Sequence, residues 1–278
     1  MAQDANTRVK RMKLTFIGSG SAFALENFNS NMVLEVNGRR MMIDCGSDAR
    51  WAMKESGWTY KDVDAIYISH LHADHIAGIE WLAFCSYFDP TVKKIPMYIN
   101  DLMSHELWEK SLQGGLGSIQ NKITTLDDFF DVQRITLNGL FQFEGFEFRI
   151  VQTVHVMNGY HLVPSYGLIW NTPSGKQVFL TTDTQYCPHQ IYDFYNTADV
   201  IFHDCETSSF KSGIHAHYDD LSTLDKEVKA KMWLYHYQDG DKPDAVQDGF
   251  LGFVQKGQAF DFSNEASSAG SAGEANAA

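Results

Sequence analysis

Residues 65–75 of the 278-residue chain read AIYISHLHADH. The run AIYI is apolar, and a short apolar run of this kind is typical of a buried strand. It leads into His70, His72, Asp74 and His75, which place three imidazoles and a carboxylate within six residues. Such nitrogen and oxygen donors suit cations such as Zn²⁺ or Mn²⁺. The stretch therefore predicts a metal-binding loop at the C-terminal end of a strand, where α/β proteins place their chemistry.

Three further ligand-type residues follow apolar runs elsewhere in the chain. His155, Asp183 and His236 each stand at the exit of a segment that we predict to be a strand. A solvated, His-rich loop that binds metal only incidentally is the alternative interpretation of residues 70–75. It does not explain the three additional donors, and hydrolysis by two metal ions requires more ligands than one loop supplies.

The remaining patterning indicates alternating strands and helices. We predict strands at residues 13–18, 31–36, 40–43, 63–68, 92–98, 141–154, 165–170, 177–181, 200–202 and 232–235, and helices at 49–56 and 76–84. Residues 102–131 are expected to be helical but broken by the glycines of 114–117. This order predicts an α/β protein with layered sheets covered by helices. We expect one domain over residues 1–262 and a disordered tail over 263–278, whose Ser, Ala, Gly, Asn and Glu have nothing to bury.

The overall charge and cysteine content exclude several classes of protein. Thirty-five acidic against 22 basic residues give a net charge of −13, so long nucleic acids should bind poorly. The four cysteines form no CxxC pair, which predicts neither a structural zinc site nor a disulfide framework. No apolar run approaches the ~18 residues of a membrane span, and the first residues lack a signal peptide's apolar core. We therefore expect a soluble, cytoplasmic protein.

The order HxHxDH, His, Asp, His resembles the metallo-β-lactamase fold superfamily. Within it, residues 13–236 are most similar to the branch of tRNA 3′-processing endonucleases and related phosphodiesterases. The segments FIGSGS at 16–21 and IDCG at 43–46 resemble that branch's FLGTGS and IDCG. The resemblance implies a four-layer αββα sandwich with two mixed β-sheets.

The same resemblance implies two divalent metal ions, with Zn²⁺ expected and Mn²⁺ as the alternative. One ion would be held by His70, His72 and His155, the other by Asp74, His75 and His236, and Asp183 would bridge them. Two cations ~3.5–4 Å apart lower the pKa of a shared water and neutralise an attacked phosphate, so a hydroxide would be the nucleophile.

A proton donor for the leaving group is implied by two further segments. HDCET at 203–207 and HAH at 215–217 resemble the HEAT and GHST segments of the RNA-processing branch. Asp204 takes the place of the HEAT carboxylate, and His217 that of the GHST histidine. His215 competes with His217 for this role. A histidine beside a carboxylate can be protonated near neutral pH, as general acid catalysis requires.

Several observations bear on the substrate. The loop LENFNSN at 25–31 has no Lys or Arg where the tRNA processors carry a basic loop. Asp183 follows His155 by only 28 positions, which leaves no room for an RNA-gripping arm. The third histidine lacks the Gly-His-Thr/Ser-Pro-Gly turn of thiolester hydrolases and lactonases, and β-lactamases are exported and are not expected to carry HDCE and HAH.

A small phosphodiester remains as the expected substrate. The chain resembles the phage-encoded anti-Pycsar enzymes, which open 3′,5′-cyclic mononucleotides, in its compactness and in HAHY at 215–218. This implies a cyclic nucleotide phosphodiesterase, with a role in phage immune evasion in the host cytoplasm if a virus encodes it. The alternatives are a tRNase Z-like RNA 3′-end endonuclease, another small cyclic phosphodiesterase, a non-catalytic binding module and a diiron redox protein.

A homodimer is expected because dimers are frequent in this branch. Aromatic side chains that could stack on a base are Phe28, Trp81, Tyr160, Tyr186 and Tyr218.

Overall fold

The computed structural model describes residues 10–263. Its strands are β1 (Met12–Phe16), β2 (Met32–Val36), β3 (Arg39–Ile43), β4 (Ala65–Ile68), β5 (Ile95–Asn100), β6 (Ser118–Ile119), β7 (Lys122–Ile123), β8 (Phe130–Ile135), β9 (Leu140–Phe143), β10 (Phe146–Met157), β11 (Leu162–Asn171), β12 (Gln177–Leu180), β13 (Val200–Asp204), β14 (Met232–Tyr235), β15 (Gly252–Phe253) and β16 (Ala259–Asp261). The predicted tail lies outside the described residues, apart from Ser263.

The helices are short and lie between the strands. They are α1 (Ala49–Glu55), α2 (Ala73–Ile76), α3 (Ile79–Phe88), α4 (Asp101–Leu107), α5 (Gln113–Leu116), α6 (Leu126–Phe129), α7 (Pro188–Thr197), α8 (Tyr218–Leu221) and α9 (Lys226–Lys229). A 3₁₀ turn (Tyr60–Asp62) precedes β4, and a π-helical turn (Trp108–Leu112) joins α4 to α5. No helix within residues 10–263 is long and apolar enough to cross a membrane.

The first sheet has seven strands in the order β16-β1-β2-β3-β4-β5-β8. β1 and β2 are antiparallel, as are β2 and β3, whereas β3, β4, β5 and β8 are parallel. The chain turns between β2 and β3 at Asn37-Gly38, and both residues adopt the positive φ that a tight hairpin turn requires. The C-terminal ends of β1, β3, β4 and β5 consequently lie at one edge of the sheet.

The second sheet has seven strands in the order β15-β14-β13-β12-β11-β10-β9. β12 to β15 are parallel, and β11 is antiparallel to both β10 and β12. The C-terminal ends of β10, β12, β13 and β14 therefore share one edge. Both sheets are mixed, as the resemblance implied.

Packing of the two sheets against each other brings these edges together. Phe16 of β1 contacts Phe202 of β13 and Tyr235 of β14, with ring centroids 5.2 and 5.3 Å apart. Tyr67 of β4 donates a hydrogen bond to the backbone carbonyl of Tyr166 in β11. Apolar residues of α1 and α3 join the core of the first sheet, and those of α7 and α8 pack on the outer face of the second. The predicted four-layer αββα arrangement is confirmed.

Two local predictions were wrong. The segment predicted as one strand over 141–154 is a hairpin, because Glu144 and Gly145 adopt positive φ and reverse the chain between β9 and β10. Residues 118–131, which were expected to be helical, contain β6, β7, the single turn of α6 and the start of β8. The helix runs through Gly114 and Gly115 and ends at Gly117, so the predicted break within 114–117 is confirmed. A Cβ on Gly115 would lie 2.0 Å from the carboxylate of Glu80 on α3, so a larger residue at this position would require the Glu80 side chain to move.

Candidate metal centre

All seven predicted metal ligands meet where the C-terminal edges of the two sheets join. One group, within 4.8 Å of one another at the ligand atoms, is His70, His72, His155 and Asp183; a second is Asp74, His75, Asp183 and His236. Asp183 belongs to both groups, in the central position that the resemblance implied. The chain brings these side chains together from the ends of β4, β10, β12 and β14.

The carboxylate of Asp183 is the centre of the cluster. The residue is 1% exposed, and neither carboxylate oxygen has a hydrogen-bond partner among the described residues. Its oxygens lie 3.4 Å from Nε2 of His75 and 3.4 Å from Nε2 of His236. Burial raises the pKa of Asp183, but the neighbouring histidines outweigh it, so that its pKa lies well below the ordinary value. A buried, unbonded carboxylate facing imidazole nitrogens fits a residue that binds cations.

His70, His72 and His155 point their ring nitrogens at one another. Nδ1 of His72 lies 3.1 Å from Nε2 of His70 and 3.0 Å from Nε2 of His155. Burial lowers the pKa of His70 and His72, and it lowers the pKa of His155 to about 4. The three rings are therefore neutral at physiological pH, and a neutral imidazole offers the lone pair that a metal ion needs.

Hydrogen bonds behind the cluster orient the rings. Nδ1 of His75 donates to Asp44 at 2.7 Å, and the same carboxylate accepts from the backbone N–H and the hydroxyl of Ser69 at 2.8 and 2.7 Å. Nδ1 of His155 donates to the backbone carbonyl of Ile214 at 2.8 Å. Each bond fixes the ring so that Nε2 faces the centre. Asp44 belongs to the IDCG motif at 43–46, and its role as the acceptor behind His75 becomes visible only in the folded chain.

Asp204 and His215 form a second pair that touches the cluster. Nδ1 of His215 donates to Oδ2 of Asp204 at 2.8 Å, and the backbone N–H of Thr184 donates to the same oxygen at 2.8 Å. Nδ1 of His236 is 3.4 Å from the other oxygen. Burial lowers the pKa of His215, but Asp204 outweighs this effect, so that its pKa is raised. His215 is also 3.8 Å from the Asp183 carboxylate, so a protonated ring can stand beside the cluster.

The structure does not bring His217 into the cluster. Its Nδ1 accepts a hydrogen bond from the backbone N–H of Asp219, which caps α8, and its Nε2 donates to the carbonyl of Ser208 at 2.9 Å. Both ring nitrogens are thus occupied by backbone groups, and the geometry favours His215 over His217 as a proton donor.

The predicted stacking residues differ in their exposure and contacts. Tyr218 is buried in the core of the second sheet, and the Phe28 ring lies under the ammonium of Lys256 at 4.5 Å. Tyr160 is 96% exposed, at the tip of the β10–β11 hairpin. Phe23 and Leu25, which were not among the predicted stacking residues, are 90% and 87% exposed in the loop after β1.

Comparison with known proteins agrees with this geometry. A family model described as "Anti-Pycsar protein Apyc1" matches residues 12–260. A protein of that name from Paenibacillus harenae is 34% identical over 238 residues, which cover 85% of this chain and 93% of the relative. Another, from Bacillus phage 010DV004, is 31% identical and covers 90% and 98%. The metallo-beta-lactamase fold protein YhfI from Bacillus subtilis superimposes with a TM-score of 0.69 at 19% identity, covering 91% and 99%. The resemblance and the fold predicted from the motifs are confirmed.

Proposed function

The chain belongs to the Anti-Pycsar protein Apyc1 family, and on that premise we propose that it is a metal-dependent phosphodiesterase that opens 3′,5′-cyclic mononucleotides. The observation that carries the proposal is the buried Asp183 carboxylate shared by two groups of histidines. His70, His72 and His155 would hold one divalent ion, and Asp74, His75 and His236 the other, with Asp183 between them. Zn²⁺ is the expected metal and Mn²⁺ the alternative, since the donors are imidazoles and carboxylates.

The protein's own residues would divide the reaction between them. Bound ions at such a site supply a water of lowered pKa and neutralise phosphate charge. His215 donates to Asp204 with Nδ1, and its Nε2, which has no hydrogen-bond partner among residues 10–263, would donate the proton. In the proposed reaction a P–O bond forms to the water oxygen, one ester P–O bond breaks, and the leaving alkoxide takes its proton from His215.

The surroundings of the cluster support a small substrate. Residues 17–31 and 155–163, which follow strands at this edge, contain no Lys or Arg. Lys211, in the loop before His215, is already paired with Asp220. A long polyanion would need several contacts between its phosphates and Lys or Arg side chains to bind firmly. A single phosphodiester needs only the metal cluster.

The relatives support a biological setting for this activity. One relative called Anti-Pycsar protein Apyc1 comes from a Bacillus phage. We place this protein in the cytoplasm of a bacterial host, where hydrolysis of a cyclic nucleotide would serve phage immune evasion.

We also propose that the protein is a homodimer. Trp51 of α1 is 51% exposed, and its neighbour Arg50 lines a surface cavity of about 490 Å³ together with Trp81 and Phe84 of α3. Exposed aromatic side chains of this kind are enriched in interfaces. Sedimentation equilibrium of the full chain and of Trp51→Glu tests this: the wild type should have twice the monomer mass and the variant should dissociate.

The activity is tested with a panel of phosphodiesters. The substrates are cAMP, cGMP, cCMP, cUMP, their 2′,3′-cyclic isomers, bis-p-nitrophenyl phosphate and a tRNA precursor, each with Zn²⁺, Mn²⁺ or chelator. We expect metal-dependent conversion of at least one 3′,5′-cyclic mononucleotide to a nucleoside monophosphate. Cleavage of bis-p-nitrophenyl phosphate alone would show that the protein is a phosphodiesterase, but that its substrate is not a cyclic mononucleotide. Cleavage of the tRNA precursor would transfer the protein to the RNA-processing class, and no cleavage at all would reject the proposal.

A further inference from the structure

The loop that follows β1 stands directly beside the metal cluster. We call residues 21–29 the platform loop. The backbone N–H of Ser21 donates to the carbonyl of Tyr237 at 2.9 Å, and the N–H of His236 donates to the carbonyl of Ser19 at 2.8 Å. The root of the platform loop is therefore bonded to the backbone of a proposed metal ligand and of its neighbour.

A single carboxylate clamps the middle of the platform loop. Asp239 accepts hydrogen bonds from the backbone N–H of Leu25 at 2.6 Å and of Glu26 at 3.0 Å, and from the side-chain amide of Asn27 at 2.5 Å. Hydrogen bonds to an ionised acceptor are stronger than neutral ones. The clamp therefore holds the loop in one conformation relative to the strand end that carries His236.

Two further contacts close the base of the platform loop. The side-chain amide of Asn29 donates to the carbonyls of Ser21 and Ala22, both at 3.3 Å. Ala24 is 6% exposed and packs closely on Gly20. A Cβ added to Gly20 would lie 2.4 Å from the Cβ of Ala24. The loop is thus anchored at its ends, its middle and its underside.

This anchored loop presents apolar side chains to solvent. Phe23 and Leu25, 90% and 87% exposed, flank the buried Ala24. Apolar side chains exposed singly are ordinary, but two neighbours on a clamped loop beside a candidate catalytic cluster form a preorganised contact surface. The only charged residue of the loop is Glu26, so the loop is suited to an uncharged group and not to phosphate.

We propose that Phe23 and Leu25 form the platform on which the base of the cyclic nucleotide packs while its phosphate lies over the metal cluster; this rests on the proposed function. Stacking on an aromatic face tolerates every base, since each base has a π-face. The platform would therefore set the affinity for nucleotides as a class, and it would contribute nothing to a substrate without a base.

The test compares two substrates and four variants of the full chain. One substrate is the cyclic mononucleotide that the wild type hydrolyses best, and the other is methyl riboside 3′,5′-cyclic phosphate, which has no base. The variants are Phe23→Ala/Leu25→Ala, Phe23→Ser, Phe23→Trp and, as a matched aromatic control on the far end of α3, Phe88→Ala, whose ring is 64% exposed.

We expect the double variant to raise KM for the cyclic nucleotide about tenfold, with kcat and the values for the baseless substrate unchanged. Phe23→Ser should raise KM by part of that amount, Phe23→Trp should preserve it, and Phe88→Ala should change neither substrate. Three results in the double variant would show that Phe23 and Leu25 do not bind the base: an equal rise in KM for both substrates, an unchanged KM, or a loss of dimer mass. None of these results would contradict the proposed phosphodiesterase activity. A wild type that opens no cyclic nucleotide would remove the proposed function and the platform with it.

Discussion

His75 and Phe23 both follow strands of the first sheet at the same edge, yet His75 is 1% exposed and Phe23 is 90% exposed. In the metal cluster, side-chain polar groups face inward and hydrogen bonds behind them, such as that from His75 to Asp44, fix their direction. In the platform loop, the backbone polar groups are tied down by Asp239 and the apolar side chains face outward. Under the two proposals, the difference separates two tasks: the buried cluster would bind charged groups away from water, and the exposed loop would contact an uncharged group at the surface. Changes in the cluster should therefore lower kcat or metal binding, and changes in the loop should raise KM.

The largest effect is expected for Asp183→Asn. An amide cannot replace the charge that two cations would share, so kcat should fall by about 10³-fold or more. Hydrolysis of the preferred cyclic nucleotide and bound metal, measured by plasma mass spectrometry, give the readout. Asp193→Asn, at an exposed position of α7, is the matched control and should behave as wild type. Full activity of Asp183→Asn would show that the shared carboxylate is not part of the catalyst.

The next effect distinguishes two histidines that lie two positions apart. His215→Asn should lower kcat by about 10²–10³-fold, because it removes the proposed proton donor. His217→Asn should leave kcat within about twofold of wild type, since both ring nitrogens are bonded to backbone groups away from the cluster. Asparagine can still cap α8, so any fall in the unfolding temperature should come from the lost hydrogen bond to the carbonyl of Ser208.

A substrate with a better leaving group gives a second test of the role of His215. Bis-p-nitrophenyl phosphate releases a phenolate that needs little protonation, so His215→Asn should impair its cleavage much less than that of a cyclic nucleotide. Equal losses on the two substrates, or a large loss in His217→Asn instead, would contradict the role given to His215.

A smaller effect is expected behind the cluster. Asp44→Asn weakens the acceptor for His75 and Ser69, and loss of such an orienting hydrogen bond typically costs about 10–100-fold in metal affinity. Titration of the apoprotein with Zn²⁺ measures this directly. Activity should return at saturating metal, which distinguishes an orienting residue from a ligand. An affinity unchanged from wild type would exclude this role.

The smallest effect is expected for the clamp of the platform loop. Asp239→Ala removes three hydrogen bonds from the loop, so KM for the cyclic nucleotide should rise about threefold as the loop loses its fixed conformation. Metal content and kcat should remain those of wild type. A fall in kcat with lost metal would mean that Asp239 supports His236 and not the loop, which would erase the separation between the two regions.

Residue types and local periodicity were enough to locate the cluster's members. The apolar runs before His70, His155, Asp183 and His236 predicted strands, and a strand end is where a ligand can leave the core without breaking the ladder of hydrogen bonds. The order of the motifs also identified the fold. Local patterns carry this information because side-chain alternation is a property of each strand by itself.

Contacts between distant parts of the chain were decided only by the tertiary structure. Asp239 meets Leu25 across 214 positions and Asp44 meets His75 across 31, and no periodicity relates such pairs. His215 and His217 are of one residue type in one segment. However, His215 donates a hydrogen bond to the Asp204 carboxylate, whereas His217 caps the start of α8. Residue types and periodicity identified the residues that could bind metal and the strands that carry them. The packing of the two sheets decided which of the remaining polar groups face the cluster, because a side chain's partner is set by what is folded against it.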